Sequence, residues 1–231
     1  MPERRQRNRQ LPAVHAGVVA LMAAFLAAPA AAAGPADCAR MKQPLQSLRL
    51  TLFTLNTINP LMSQDRLSAL DVDRAGASEV VLVNHLKSMT MKSVMMKNGL
   101  PLLVSIPERD VETRYEYDTD VAQYRFAPGA SFSFTARMIP RKGDVGIMQN
   151  DYSVTGPEKF TVAGCTFDVL AVHHVIHSKQ GTVERDTIVD SLYAPELSVI
   201  LRTHIRTVGV GNEQVMLVTD IGLAISQPAP R

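Results

Sequence analysis

Three histidines fall within five residues in the stretch VHHVIHSKQGTVERD, residues 172–186, and a Glu, an Arg and an Asp follow a Gln-Gly pair. Imidazoles beside carboxylates are the raw material of a zinc site or of a general base oriented by an acid. On a helix, His173 and His177 would share a face at the i, i+4 spacing that suits one ion. The neighbours are Val, Ile and Thr with a central Gly, which point to strand. On a strand the two imidazoles share a side but stand roughly 13 Å apart, too far for a single metal. What remains is a polar cluster of His173, His177, Glu184 and Asp186, in which His177, Glu184 and Asp186 could still serve a metal or a hydrolytic reaction. His174, of opposite parity, reads as a satisfied core histidine.

Other reactive residue types lack the partners that their chemistry needs. Met89, Met91, Met95 and Met96 could hold copper(I) through thioethers, but Val94 and Leu100 beside them favour core filling. Asp118-Thr119-Asp120 lacks the Gly and the distal Glu of a calcium loop. In GASFS, Ser133 stands where a nucleophile elbow would have its second Gly, and there is no phosphate loop. No nucleophile, base and orienter can be placed together, so no catalytic residue and no cofactor is assigned.

The elements that would carry these side chains read as short strands. Leu48, Leu50 and Leu52 alternate with Arg49 and Thr51 before the pattern slips at Phe53 and Leu55, the mark of a bulged strand. Ser63 caps a short helical turn over 63–69, followed by a loop over 71–78. Residues 80–106 are apolar on both parities and call for cover on both sides, and their Asn98-Gly99 pair is a hairpin signal. Further strands are predicted at 113–117, 122–126, 131–138, 160–162, 166–176, 183–193, 199–207 and 215–221. Turns separate them at Pro128-Gly129, Lys142-Gly143, Gly156-Pro157, Gln180-Gly181 and 209–212. The fold class is therefore mainly β: an antiparallel curved sheet, half-barrel or sandwich, with minor helix near the N-terminus.

A two-residue turn at Gln180-Gly181 would place His177 opposite Glu184, Val175 opposite Asp186 and His173 opposite Ile188. Alternation then puts Leu170, Val172, His174, Ile176, Val183, Arg185 and Val189 on a buried face, and His173, His177, Glu184, Asp186 and Asp190 on a wet one.

The first 33 residues read as a secretory signal peptide. A basic start, MPERRQRNRQ, precedes an uncharged run from Ala16 to Ala28, too short to span a membrane, and Ala31 and Ala33 suit cleavage after Ala33. Gln6, Arg7 and Asn8 after Arg4-Arg5 argue against the twin-arginine route, and Pro35-Ala36-Asp37 before Cys38 argues against a lipid anchor. Residues 34–231 form a single β-rich domain with no further transmembrane run. The chain has 24 Lys and Arg against 22 Asp and Glu; the four Arg and one Glu of residues 1–33 leave 20 against 21. A near-neutral domain excludes a basic nucleic-acid surface. Aromatics at 5% with no Trp argue against a stacking platform for sugars or bases. Cys38 and Cys165 both survive signal removal, and an even count in an exported chain favours a disulfide between them.

Residues 126–224 resemble a class of uncharacterised exported β-rich proteins of Gram-negative bacteria. The likeness rests on Pro128-Gly129 before a strand, VAGCTFDVLAV at 162–172, YAPEL at 193–197 and Arg202. In that class a Gly-x-Phe strand, a hairpin and a Tyr-x-Pro-Glu-Leu turn lead into a half-barrel-like sheet. Ser198 stands here in place of the usual Gly, and Leu192 in place of an aromatic. The resemblance implies fold and export but transfers no activity. More distantly, the chain is similar to envelope proteins whose curved sheet encloses a lipid. The leading expectation is a periplasmic, non-catalytic β protein that binds a lipid, another apolar ligand or an envelope protein in its concavity. The competing one is an envelope hydrolase or metal-binding protein using His177, Glu184 and Asp186.

Overall fold

The computed structural model describes residues 35–44, 46–56, 67–74 and 78–224. Helix α1 (Pro35–Met41) precedes twelve strands: β1 (Leu48–Asn56), β2 (Leu67–Asp73), β3 (Glu79–His85), β4 (Thr90–Met96), β5 (Pro101–Ile106), β6 (Val111–Tyr117), β7 (Ser131–Pro140), β8 (Gly146–Val162), β9 (Cys165–Gln180), β10 (Val183–Ala194), β11 (Val199–Thr207) and β12 (Asn212–Leu223). Each strand pairs antiparallel with its sequence neighbour. β12 returns to β1, with Leu48 opposite Leu223 and Leu50 opposite Ile221, so the sheet closes into a barrel. Closure leaves no edge strand whose amides would otherwise seek a partner. The mainly β, antiparallel expectation holds, and the curvature goes beyond a half-barrel.

Turn chemistry accounts for much of the meander. Ala163 (φ 50°) and Gly164 (φ 78°) form the two-residue β8–β9 turn, the pair of positive φ values that a type I′ hairpin needs. Asn98-Gly99 does lie in the β4–β5 hairpin, in a three-residue loop with Gly99 at φ 82°. Asn98 also donates from Nδ2 to the carbonyls of Val121 (2.8 Å) and Tyr124 (3.2 Å).

Four local expectations are corrected. Residues 67–69 are strand, the start of β2, because register against β1 overrides the local helical pattern; residues 63–66 lie outside the described residues. Asp71–Asp73 likewise continue β2 rather than forming loop. Gly156-Pro157, with a cis peptide bond, is a bulge inside β8 and not a turn, so 146–162 is one strand. Residues 122–126 are not a strand: a 3-10 turn at Val121–Gln123 is followed by an extended segment that donates aromatic side chains to the barrel interior.

Inward residues form two packed regions. At the end of the barrel where β1 begins, Leu48, Leu50, Val72, Phe167, Val169, Leu197, Leu201 and Ile221 join Met41 of α1 in one cluster, and Cys38 is bonded to Cys165 beside it. Arg74, also buried there, donates to the carbonyls of Gln46 (2.7 Å), Glu196 (3.0 Å), Met41 (2.7 Å) and Gln43 (3.0 Å), and so joins three chain segments. The second region is aromatic. Tyr124 stacks on Phe132 at 4.7 Å, Phe132 on Tyr152 at 5.0 Å, and Tyr117 meets Phe134 edge-on at 5.4 Å.

Outward positions carry charge: Arg137 pairs with Glu116 (3.1 Å), Arg49 with Asp71 (3.7 Å) and Arg206 with Asp190 (2.8 Å). This is the reverse of the apolar-out, polar-in pattern of a bilayer-spanning barrel. The doubly apolar stretch 80–106 is not covered on both sides. Its outward Val81, Val94 and Leu103 form one cross-strand row of half-exposed side chains that shield one another. No described helix is long and apolar enough to cross a membrane.

Candidate ligand-binding lumen

Between β1–β4 and β10–β12 the barrel interior is not filled. A cavity of about 190 Å3 is lined by Leu52, Leu70, Leu82, Met91, Met95, Leu201 and Met216, with Asn84, Ser93 and Thr203 among them. Registers explain the lining. Leu50, Leu70, Asn84 and Met91 stand in one cross-strand row, and Val72, Leu82, Ser93 and Val104 in the next, all on the concave face. Leucine and methionine at these positions leave a flexible, apolar surface. The carbonyl Oδ1 of Asn84 is buried and has no hydrogen-bond partner among the described residues. An unmet acceptor against an apolar wall is costly and is relieved by any guest that donates a hydrogen bond.

The neighbouring aromatic wall offers no proton-transfer group. His174 stacks on Tyr152 with ring centroids 3.8 Å apart, and its Nε2 lies 3.0 Å from Asn150 Oδ1. Asn150 donates from Nδ2 to the Met148 carbonyl at 3.0 Å, so its oxygen is the acceptor and the histidine carries its proton on Nε2. Burial pushes the His174 pKa down to about 3, the nearby Asp151 charge opposing this only in part. Burial raises the Tyr152 phenol, with the neighbouring Tyr117 adding to it. Neither ring changes charge near neutral pH, so the wall is effectively an apolar surface.

The histidine ladder lies on the outside. The β9–β10 turn is Gly181-Thr182, with Gly181 at φ 58° in the first central position, where a type II′ turn takes glycine. His177 therefore faces Asp186 and not Glu184, and His173 faces Asp190 and not Ile188. The shift is two residues, so every side chain keeps its face, but Val183 and Arg185, near the hairpin tip, are exposed and not buried as expected. His173 donates from Nδ1 to Asp190 (2.7 Å) and His177 from Nδ1 to Asp186 (2.8 Å), while Lys179 takes Glu184 at 2.6 Å. Burial opposes ionisation of Asp190, but hydrogen bonds from His173 and Arg206 outweigh it and hold the carboxyl below its ordinary range. The cluster is thus divided into separate hydrogen-bonded pairs, and Glu184 is drawn away from His177. Among the described residues no three His, Cys, Asp or Glu converge on one point as metal ligands would. Ser153 lies across from His173, which pairs with Asp190, but the serine sits mid-strand in β8, whose two edges are both paired. Backbone amides spent on the ladder cannot stabilise an oxyanion.

Sequence reasoning missed Asn84, Tyr193 and Arg74. For Asn84 a signal existed: it breaks an otherwise apolar alternation of Val80 and Leu82. Arg74, in an expected loop, gave none, because its four acceptors come from distant segments.

No protein-family model and no curated protein matches the chain. Among solved structures it is similar to the hypothetical lipoprotein YmcC of Escherichia coli at 10% identity and a TM-score of 0.45, over 84% of this chain and 90% of that one. A Bacteroides fragilis protein with a YmcC-like fold matches at 12% identity and a TM-score of 0.42, over 78% and 96%. A Parabacteroides distasonis protein described as a lipoprotein matches at 11% and 0.44, over 78% and 97%.

Proposed function

We propose that this chain is an exported envelope protein without catalytic activity that binds an apolar ligand inside its barrel. The observation that carries the reading is the lumen: an apolar cavity of about 190 Å3 inside a barrel whose outer face is laced with ion pairs. Cavities of ~150 Å3 lined by aliphatic side chains already take a benzene-sized guest. Export is supported by the signal-like residues 1–33 and by the Cys38–Cys165 bond, which suits an oxidising compartment. The hydrolase or metal reading receives no such support, since Glu184 is engaged by Lys179 and leaves His177 with Asp186 alone.

The test is native mass spectrometry of protein isolated from the periplasm, followed by titration of delipidated protein with a fluorescent acyl probe. Leu82→Trp, which fills the cavity, should reduce probe binding at least tenfold while keeping a cooperative melt, at a cost of ~1–3 kcal/mol for overpacking. Equal binding by the variant, or none by the wild type, would overturn the reading.

A further inference from the structure

The lumen has a polar forecourt. Beyond the 97–99 turn lies a second hollow of about 660 Å3, lined by Lys97, Asn98, Arg125, Phe126, Glu79 and Pro195 among others. The two hollows share Tyr193 and Ser198 as a partition. The Tyr193 hydroxyl donates to the Lys97 carbonyl at 2.9 Å, and its ring meets Phe126 edge-on at 5.3 Å. Gly99 completes the wall: a Cβ there would lie 3.5 Å from the Phe126 ring and 3.7 Å from the Tyr193 ring. Tyr193, bonded to the Lys97 carbonyl and to Ser198, therefore stands between an apolar hollow and a polar one.

The charges of the forecourt are not spent on each other. Lys97 and Arg125 are exposed, and neither forms an ion pair among the described residues; Glu79 is the one carboxylate in the lining. Two cations against one anion leave a net positive mouth above an apolar chamber. The combined size falls in the ~300–1,000 Å3 range of small-molecule sites. That pairing of surfaces matches one ligand chemistry, an acyl chain ending in an anion.

We propose that the forecourt binds the anionic head of a single-chain acyl lipid through Lys97 and Arg125, and that the chain enters the lumen past Tyr193, which acts as a latch. This rests on the lumen-binding reading and names the ligand class for it. The Tyr193 hydroxyl holds the partition by its bonds to the Lys97 carbonyl and to Ser198, and rotation of that one side chain joins the two hollows.

The experiment is titration of delipidated full-length mature protein with four probes of equal chain length: palmitate, hexadecyl phosphate, palmitoyl lysophosphatidylglycerol and hexadecanol. Wild type should bind at least one anionic probe five- to tenfold more tightly than hexadecanol, with the gap shrinking as salt is raised. Lys97→Gln/Arg125→Gln should erase that preference and leave hexadecanol binding unchanged; both side chains are exposed, so the fold is retained. Tyr193→Phe should raise association and dissociation rates together by threefold or more in stopped flow, with Kd moving less than either rate. Preference for palmitate identifies a free carboxylate as the natural head, and preference for the phosphate probes identifies a phospholipid source. Hexadecanol bound as tightly as every anion, or a double variant that keeps the preference, would overturn the head-group site while the lumen reading stands. Failure of all four probes would overturn both.

Discussion

Acidification should destabilise this protein through His174. The residue is half-buried, its ring stacks on Tyr152 and donates from Nε2 to Asn150, and desolvation pushes its pKa down to about 3 against 6.5 for an exposed histidine. Above pH 6.5 the imidazole is neutral in both folded and unfolded chains and proton binding favours neither. Below pH 6.5 the unfolded chain takes up a proton that the folded chain refuses until pH falls to about 3, so stability drops across that window. The slope approaches about 1.4 kcal/mol per pH unit, and from pH 7.5 to 5 the loss from this one residue is about 2 kcal/mol. The assay is urea unfolding of wild type and His174→Gln at both pH values. The variant should be less stable at pH 7.5, having lost the ring stack, and the gap should close by about 2 kcal/mol at pH 5 because glutamine does not titrate. A gap constant to within ~0.5 kcal/mol would refute a buried neutral imidazole.

Two further predictions concern the end of the barrel near α1. Replacing Cys38 and Cys165 with alanine opens a loop spanning 127 residues and should cost about 5 kcal/mol on the chain-entropy argument, a large part of a domain's ~5–15 kcal/mol. Urea unfolding of the double variant against the oxidised wild type checks this, and a difference below ~1 kcal/mol would show that the bond restrains nothing. Arg74→Leu should destabilise by at least ~3 kcal/mol, since four carbonyl acceptors lose one shared donor in a buried site. Arg74→Lys should recover less than half of that, because an ammonium cannot reproduce the planar fork; full recovery in a thermal melt would mean that charge alone matters at this position.

What was legible in the sequence was whatever has a local cause. Alternation with period 2 assigned His173 and His177 to the wet face and His174 to the buried one, and that assignment survived a two-residue error in register because an even shift leaves every side chain on its side. Positive-φ turn residues marked the hairpin at Asn98-Gly99. The remainder depends on residues far apart along the chain, and tertiary structure alone decided it. Tyr193 meets Lys97 across 96 residues and Arg74 reaches Glu196 across 122, and neither pairing leaves a trace in local pattern. Closure itself is of this kind. Whether β12 finds β1 depends on the accumulated twist and stagger of all the strands between them, and only that closure turns an apolar face into a lumen with an inside.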